Sequence, residues 1–173
     1  MMVVALAFVG VGAVVRLIPH PPNVAPLTAM ALFAGTRFSY RTAAVLAIGA
    51  MLAGDLLLGW VAENLMGYVA LALTAGVGCW IASRQQRPTA ILAGSLAGSL
   101  AFFALSNFGV WWVSGMYPRT LAGLSACYVA GVPFYRNQVV GDLAYAAALF
   151  GGFAWVCRRC GWSAARLAAV VHP

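Results

Sequence analysis

Six apolar runs, each separated from the next by a short polar gap, constrain this chain more than any other feature. They are Val3–Ile18, Val24–Thr36, Thr42–Ala62, Leu65–Ser83, Thr89–Val113 and Val139–Val156. A helix needs about 20 apolar residues to cross the hydrocarbon core of a bilayer, and fewer if protein surrounds it. A soluble domain carries about 25% charged residues. This chain carries 8%, with 64% hydrophobic residues. A soluble core cannot enclose that much apolar surface, but a lipid-facing bundle can. The sequence predicts an all-α integral membrane protein, with residues 1–173 as one bundle of six transmembrane helices. The first run lacks a basic n-region and a small-residue cleavage site, so it reads as a membrane helix rather than a removed signal peptide.

Two stretches fit this scheme less simply. The second run is short, which suggests a tilted, protein-enclosed or half re-entrant helix. Ser114–Gln138 contains the apolar piece Leu121–Val132, too short to span and bounded by Pro118 and Pro133. It reads as a long structured loop with a dipping helical piece; a seventh span is the alternative.

Net charge is +7, and all ten basic residues are arginine. On a soluble protein this would suggest nucleic acid. Here the arginines fall in the gaps and report topology. With the N-terminus cytoplasmic, Arg37, Arg41, Arg84, Arg87, Arg158, Arg159 and Arg166 lie inside. Arg16, Arg119 and Arg136 lie outside. The positive-inside rule favours this arrangement, which makes both termini cytoplasmic.

The partition sorts the loops by chemistry. Inner loops such as "TRFSYR" and "SRQQRP" hold arginine with small polar residues. Outer loop 1 is "RLIPHPPN", loop 3 is "VAENLMGY", and loop 5 runs from Trp111 to Gln138. These supply candidate substrate-binding side chains: Arg16, His20 and Asn23 from loop 1; Asn64 and Tyr68 from loop 3; Asn107, Trp111, Tyr117, Arg119, Tyr128, Arg136 and Asn137 around loop 5. Apolar walls with a few placed polar groups suit a small-molecule pocket. Trp111, Trp112 and Tyr117 are equally explained as an aromatic belt at the membrane interface. The prolines of loop 1 stiffen it and start the second helix without an unpaired donor.

Asp55 and Asp142 interrupt apolar runs. Intramembrane acids face the bundle interior or water, and each needs a partner or a proton. Arg16, Arg119 and Arg136 are the available partners for a structural ion pair; the alternative is a substrate or proton site, which makes Asp55 and Asp142 candidate substrate-binding residues as well. Gly94-x-x-x-Gly98 lets helices approach closely, which reads as packing inside this one bundle. Cys157-Arg-Arg-Cys160 follows an apolar run without a βαβ context, so it does not read as a redox motif. No Walker A, GxSxG or HExxH pattern is present. The chain has no ATPase motif, so uphill movement needs a partner or a gradient. A small membrane enzyme would have to use His20 with Asp142, and a structural subunit only the small-residue faces.

Several motifs carry a resemblance. "RLIPHPPNVAPLTAMALFAG", "GDLLLGW", "SNFGVWW", "MYPRTLAGLSACYVAGVPFYRNQVVGDLAY" and "LFGG" resemble an uncharacterised family of bacterial membrane transport proteins. That family is similar to the substrate-binding S-components of energy-coupling factor vitamin transporters. The resemblance implies the bacterial cytoplasmic membrane, six helices, and substrate held under outer loops 1, 3 and 5. It also implies either docking to an energy-coupling membrane subunit with its ATPases or solitary function. S-components dock through an Ala-x-x-x-Ala face on helix 1; here the stripe reads Ala5, Val9, Ala13. The solitary subtype resembles a cobalamin transporter whose cysteine thiol ligates cobalt. Cys127 and Cys79 are the candidate thiols, with a corrinoid as substrate and no intrinsic cofactor.

Overall fold

The computed structural model describes residues 2–59, 62–83 and 87–161, with backbone alone for residues 2–7. The described residues form six α-helices and no strand: α1 Met2–Leu17, α2 Leu27–Gly35, α3 Tyr40–Leu58, α4 Leu65–Ala82, α5 Pro88–Val113 and α6 Leu121–Arg159. A 3₁₀ turn, Ala62–Asn64, precedes α4. The stretch Ala62–Ala82 and helices α3, α5 and α6 are long and apolar enough to cross a membrane. Their outward faces are apolar too, with Val45, Leu56, Leu73 and Val140 all exposed. Exposure on that scale marks a surface meant for lipid or another apolar partner.

The helices alternate in direction. Val9 and Arg16 of α1 meet Gly49 and Gly54 of α3 in the same order along both chains, so α1 and α3 run parallel. Gly67 faces Phe102, Gly98 faces Thr74 and Gly94 faces Ile81, so α4 and α5 run antiparallel. The connections α1–α2, α3–α4 and α5–α6 therefore share one end of the bundle. Arg37, Arg41 and Arg87 mark the opposite end.

The centre of the bundle is α2. It packs on α3, α4, α5 and α6, and eight of its nine residues are buried. Nine residues span only about 14 Å at ~1.5 Å each, less than half of a hydrocarbon core of about 30 Å. The preceding residues explain the late start. Val24 N donates to Pro21 O at 3.1 Å, and Asn23 has φ 64°. With Pro22 before it, this is a type II turn, whose third position demands positive φ and tolerates asparagine. The turn dips beside α6: Asn137 Nδ2 donates to Pro22 O at 3.3 Å, and Val24 lies against Gly141. Close packing below the turn needs glycine. A Cβ on Gly35 would strike the Ala75 carbonyl oxygen, and one on Gly78 the Leu32 carbonyl oxygen.

One expectation changes. Residues 121–159 are one 39-residue helix through Pro133, with neither a dipping segment nor a separate seventh helix. Thr120 starts it by accepting from Gly123 N at 3.1 Å. A buried stripe of Gly123, Cys127, Gly131, Gln138 and Asp142 lays it along α5 on both sides of the proline. Packing of that extent offsets the hydrogen bond that a helix-interior proline removes. The small-residue stripes pack inside the bundle. Ala13 is buried and Val9 faces Gly49 of α3, so both pack within the bundle; Ala5 falls outside the described side chains. Gly94 and Gly98 likewise face α2 and α4.

The contact of α2 with α4 is backbone on backbone. Gly78→Ala should therefore lower the melting temperature of the detergent-solubilised protein, with overpacking costing about 1–3 kcal/mol. Gly151→Ala, with nothing within 4 Å of its added carbon, should leave it unchanged. Equal melting temperatures would contradict the packing.

Candidate functional site

Where α2 stops short of its neighbours, at the α1–α2 end of the bundle, the helices surround a cavity of about 540 Å³. Leu27 and Thr28 at the start of α2 line it from below. Met51, Phe102 and Phe134 supply apolar wall from α3, α5 and α6. Polar groups converge from five segments: Arg16 from α1, His20 and Asn23 from loop 1, Asn64 from the 3₁₀ turn, Ser106 and Asn107 from α5, and Cys127 and Gln138 from α6. Tyr117, from the α5–α6 connection, completes the rim.

One wall is held by a buried ion pair. Arg16 Nη2 lies 2.6 Å from Asp55 Oδ1, and Arg16 Nη1 donates to Met51 O at 2.7 Å. The second carboxylate oxygen accepts from Tyr68 Oη at 2.6 Å and from Asn64 Nδ2 at 3.0 Å. Asp55 is 1% exposed. Gly54 makes room, since a Cβ there would meet the Arg16 guanidinium. The cluster ties α1, α3 and α4 together and leaves Arg16 and Asn64 facing the cavity. Asp55 and Tyr68 do not line it; they fix the residues that do.

The other predicted residues divide cleanly. His20, Asn23, Asn107, Tyr117 and Cys127 line the cavity. His20 Nδ1 lies 2.6 Å from Ile18 O. Cys127 is 2% exposed, and its thiol donates to Asn107 O at 3.3 Å. Trp111, Arg119, Tyr128, Arg136 and Asn137 are not in the lining. Trp111 Nε1 donates to Pro118 O at 2.9 Å, and Arg119 to Trp112 O at 2.8 Å while covering its ring; both secure the α5–α6 connection. Tyr128 Oη donates to Ala104 O at 2.7 Å, joining α6 to α5. Asn137 holds the loop 1 turn. Arg136 is exposed on α6 rather than in a loop. Cys79 is at the opposite end, its sulfur 3.9 Å from Phe38 O.

Asp142 corrects an expectation. Arg16 is taken by Asp55, and among the described residues no arginine pairs with Asp142. The carboxylate instead accepts from Ser99 Oγ at 2.7 Å. It lies outside the cavity lining, and His20 is not among its partners, so the one acid–base pair the sequence offered is not assembled. Sequence reasoning missed Thr28 and Gln138. Gln138 stands four residues before Asp142, a relation visible only if the helix runs on through Pro133.

A family model matches residues 1–165 and is described as a family of unknown function, DUF6580. The chain belongs to DUF6580. No curated protein and no solved structure matches it. The DUF6580 match covers every element that builds the cavity, from Arg16 to Gln138.

The ion pair generates a stability prediction. Removing one partner of a buried pair costs about 3–5 kcal/mol. Asp55→Asn and Arg16→Met should each approach that loss in chemical denaturation, and the double variant should lose less than the sum. Strict additivity would contradict the coupling.

Proposed function

We propose that this DUF6580 protein is a membrane uptake protein that binds a vitamin-sized amphipathic molecule in the cavity above α2. The cavity carries the reading. Its volume falls within the range of about 300–1,000 Å³ for small-ligand sites, and it combines apolar walls with a few convergent polar groups. Loop 1 forms one side and is stiffened by proline, so little entropy is lost when it closes on a ligand.

In this reading the chain crosses the membrane six times, the loop 1 turn and α2 together making the second crossing. Both termini are cytoplasmic, in line with the arginine distribution, and the cavity opens outward. The membrane is the bacterial cytoplasmic membrane, as the S-component resemblance suggests. Energy comes from a gradient or from a partner. With Val9 and Ala13 turned toward α3, docking of a coupling subunit would have to use another face.

The corrinoid form of the reading rests on Cys127, a buried thiol in the cavity wall. Soft thiolates suit cobalt. A corrinoid is larger than a drug-sized ligand, so its entry requires loops 1 and 5 to part. Smaller vitamins fit the volume as it stands.

Denaturing the purified protein and analysing the released small molecules by mass spectrometry tests the binding claim. Wild type should release a non-lipid compound that Ala130→Trp, which fills the cavity, does not. Val140→Trp on the outer surface should retain it. Release of lipid alone from all three would overturn the reading. Added cyanocobalamin separates the corrinoid form: its visible spectrum should shift with wild type and Cys79→Ser but not with Cys127→Ser.

A further inference from the structure

Asp142 itself lies outside the lining of the site above. The carboxylate is 1% exposed. Oδ2 accepts from Ser99 Oγ at 2.7 Å and from Gln138 Nε2 at 3.5 Å. Oδ1 has no hydrogen-bond partner. Neither does Gln138 Oε1, nor Ser95 Oγ. The amide orientation of Gln138 is fixed by chemistry: Nε2 donates to Ser99 O at 3.2 Å, and a backbone carbonyl can only accept. Its Oε1 is therefore a true acceptor, 3% exposed as a residue, left without a donor. Buried polar atoms without partners are rare and costly. Two acceptors, four residues apart on one helix, are short of a donor.

The position of the cluster adds a second observation. Gln138 and Thr28 line the cavity above α2. Ser95 lines a second cavity of about 540 Å³ between α5 and α6, toward the Arg37 end. Asp142 and Ser99 line neither. Along α6 the carboxylate lies between Gln138, which lines the first cavity, and Leu143, which lines the second.

We propose that Asp142 is an exchangeable proton site connecting the two cavities. A proton on Oδ1 neutralises the buried carboxylate and supplies the donor that the cluster lacks. It arrives from water in one cavity and leaves to water in the other, with no redox change and no other bond made or broken. Competing charges are few. Neither α2 nor α5 contains a titratable residue. On α6 itself, Tyr145 and Arg136 make no hydrogen bond or ion pair with the carboxylate, and Arg37 stands in the second cavity. Coupling of this proton to substrate movement rests on the uptake reading; the proton site itself does not.

Infrared spectroscopy of the full chain in phosphatidylcholine–phosphatidylglycerol liposomes tests the site without substrate. Wild type should show a protonated-carboxyl C=O band that titrates with pH, moves to lower frequency in deuterated water and is unaffected by Na⁺. Asp142→Asn should lose the band, Glu63→Gln should keep it, and Asp142→Glu should restore it at a shifted frequency if the asparagine variant fails to fold. A wild type without a titrating band, or a band unchanged in Asp142→Asn, overturns the proposal. A band discharged by Na⁺ at constant pH also overturns it, in favour of a metal-cation site. Absence of uptake alongside a titrating Asp142 band would reject only the transport reading.

Discussion

The half-length of α2 is the constraint on which the rest of the structure depends. Pro19 to Pro26 cannot form continuous helix, because four prolines remove backbone donors and Asn23 adopts positive φ. The chain therefore enters the bundle as a turn, and helix begins only at Leu27. Below that point α2 is sealed on all sides and packed through Gly35 and Gly78. Above it the neighbouring helices continue without a central partner, and the space they enclose is the cavity. The same residues that stop the helix, with Arg16 just before them, supply polar groups to the space it leaves.

Two buried carboxylates lie behind the lining of that space, each bonded to a residue that lines it, and the bundle treats them differently. Asp55 is neutralised by Arg16 and saturated by Tyr68 and Asn64, so it behaves as a fixed strut between α1, α3 and α4. Asp142 has hydroxyl and amide partners only, and one of its oxygens is empty-handed. A buried charge is costly unless paired, and both aspartates are 1% exposed, so the difference between them is one of chemistry and not of depth. It separates a group that positions others from one that can change state.

Much of the fold was legible from hydrophobic pattern. Run lengths placed α4 and α5 to within a residue at each end. Gly-x-x-x-Gly correctly announced close packing, although only the structure shows that its partners are α2 and α4. Pro133 and the polar stretch "FYRNQ" looked like a boundary, and this is where local rules failed. The small buried residues on either side share one helical stripe, and contact with α5 overrides local propensity. Ion-pair choice was hidden for a similar reason. Arg16 was a candidate for either aspartate, and the parallel placement of α1 against α3 selects Asp55. Thr28, Met51 and Phe102 carry no signature of their own; they join the cavity because of which helix faces meet.

The central claim is that a water-accessible cavity descends to the start of α2 from one side only. Thiol accessibility measures this directly. In a chain with its four cysteines replaced by serine, single cysteines at Ala25, Val45 and Ala130 can be challenged in intact cells with a membrane-impermeant maleimide. Ala25 and Ala130 line the cavity, whereas Val45 is exposed on the outer face of α3. The account predicts labelling at 25 and 130 and none at 45. Protection of position 25 to the level of position 45 would contradict it.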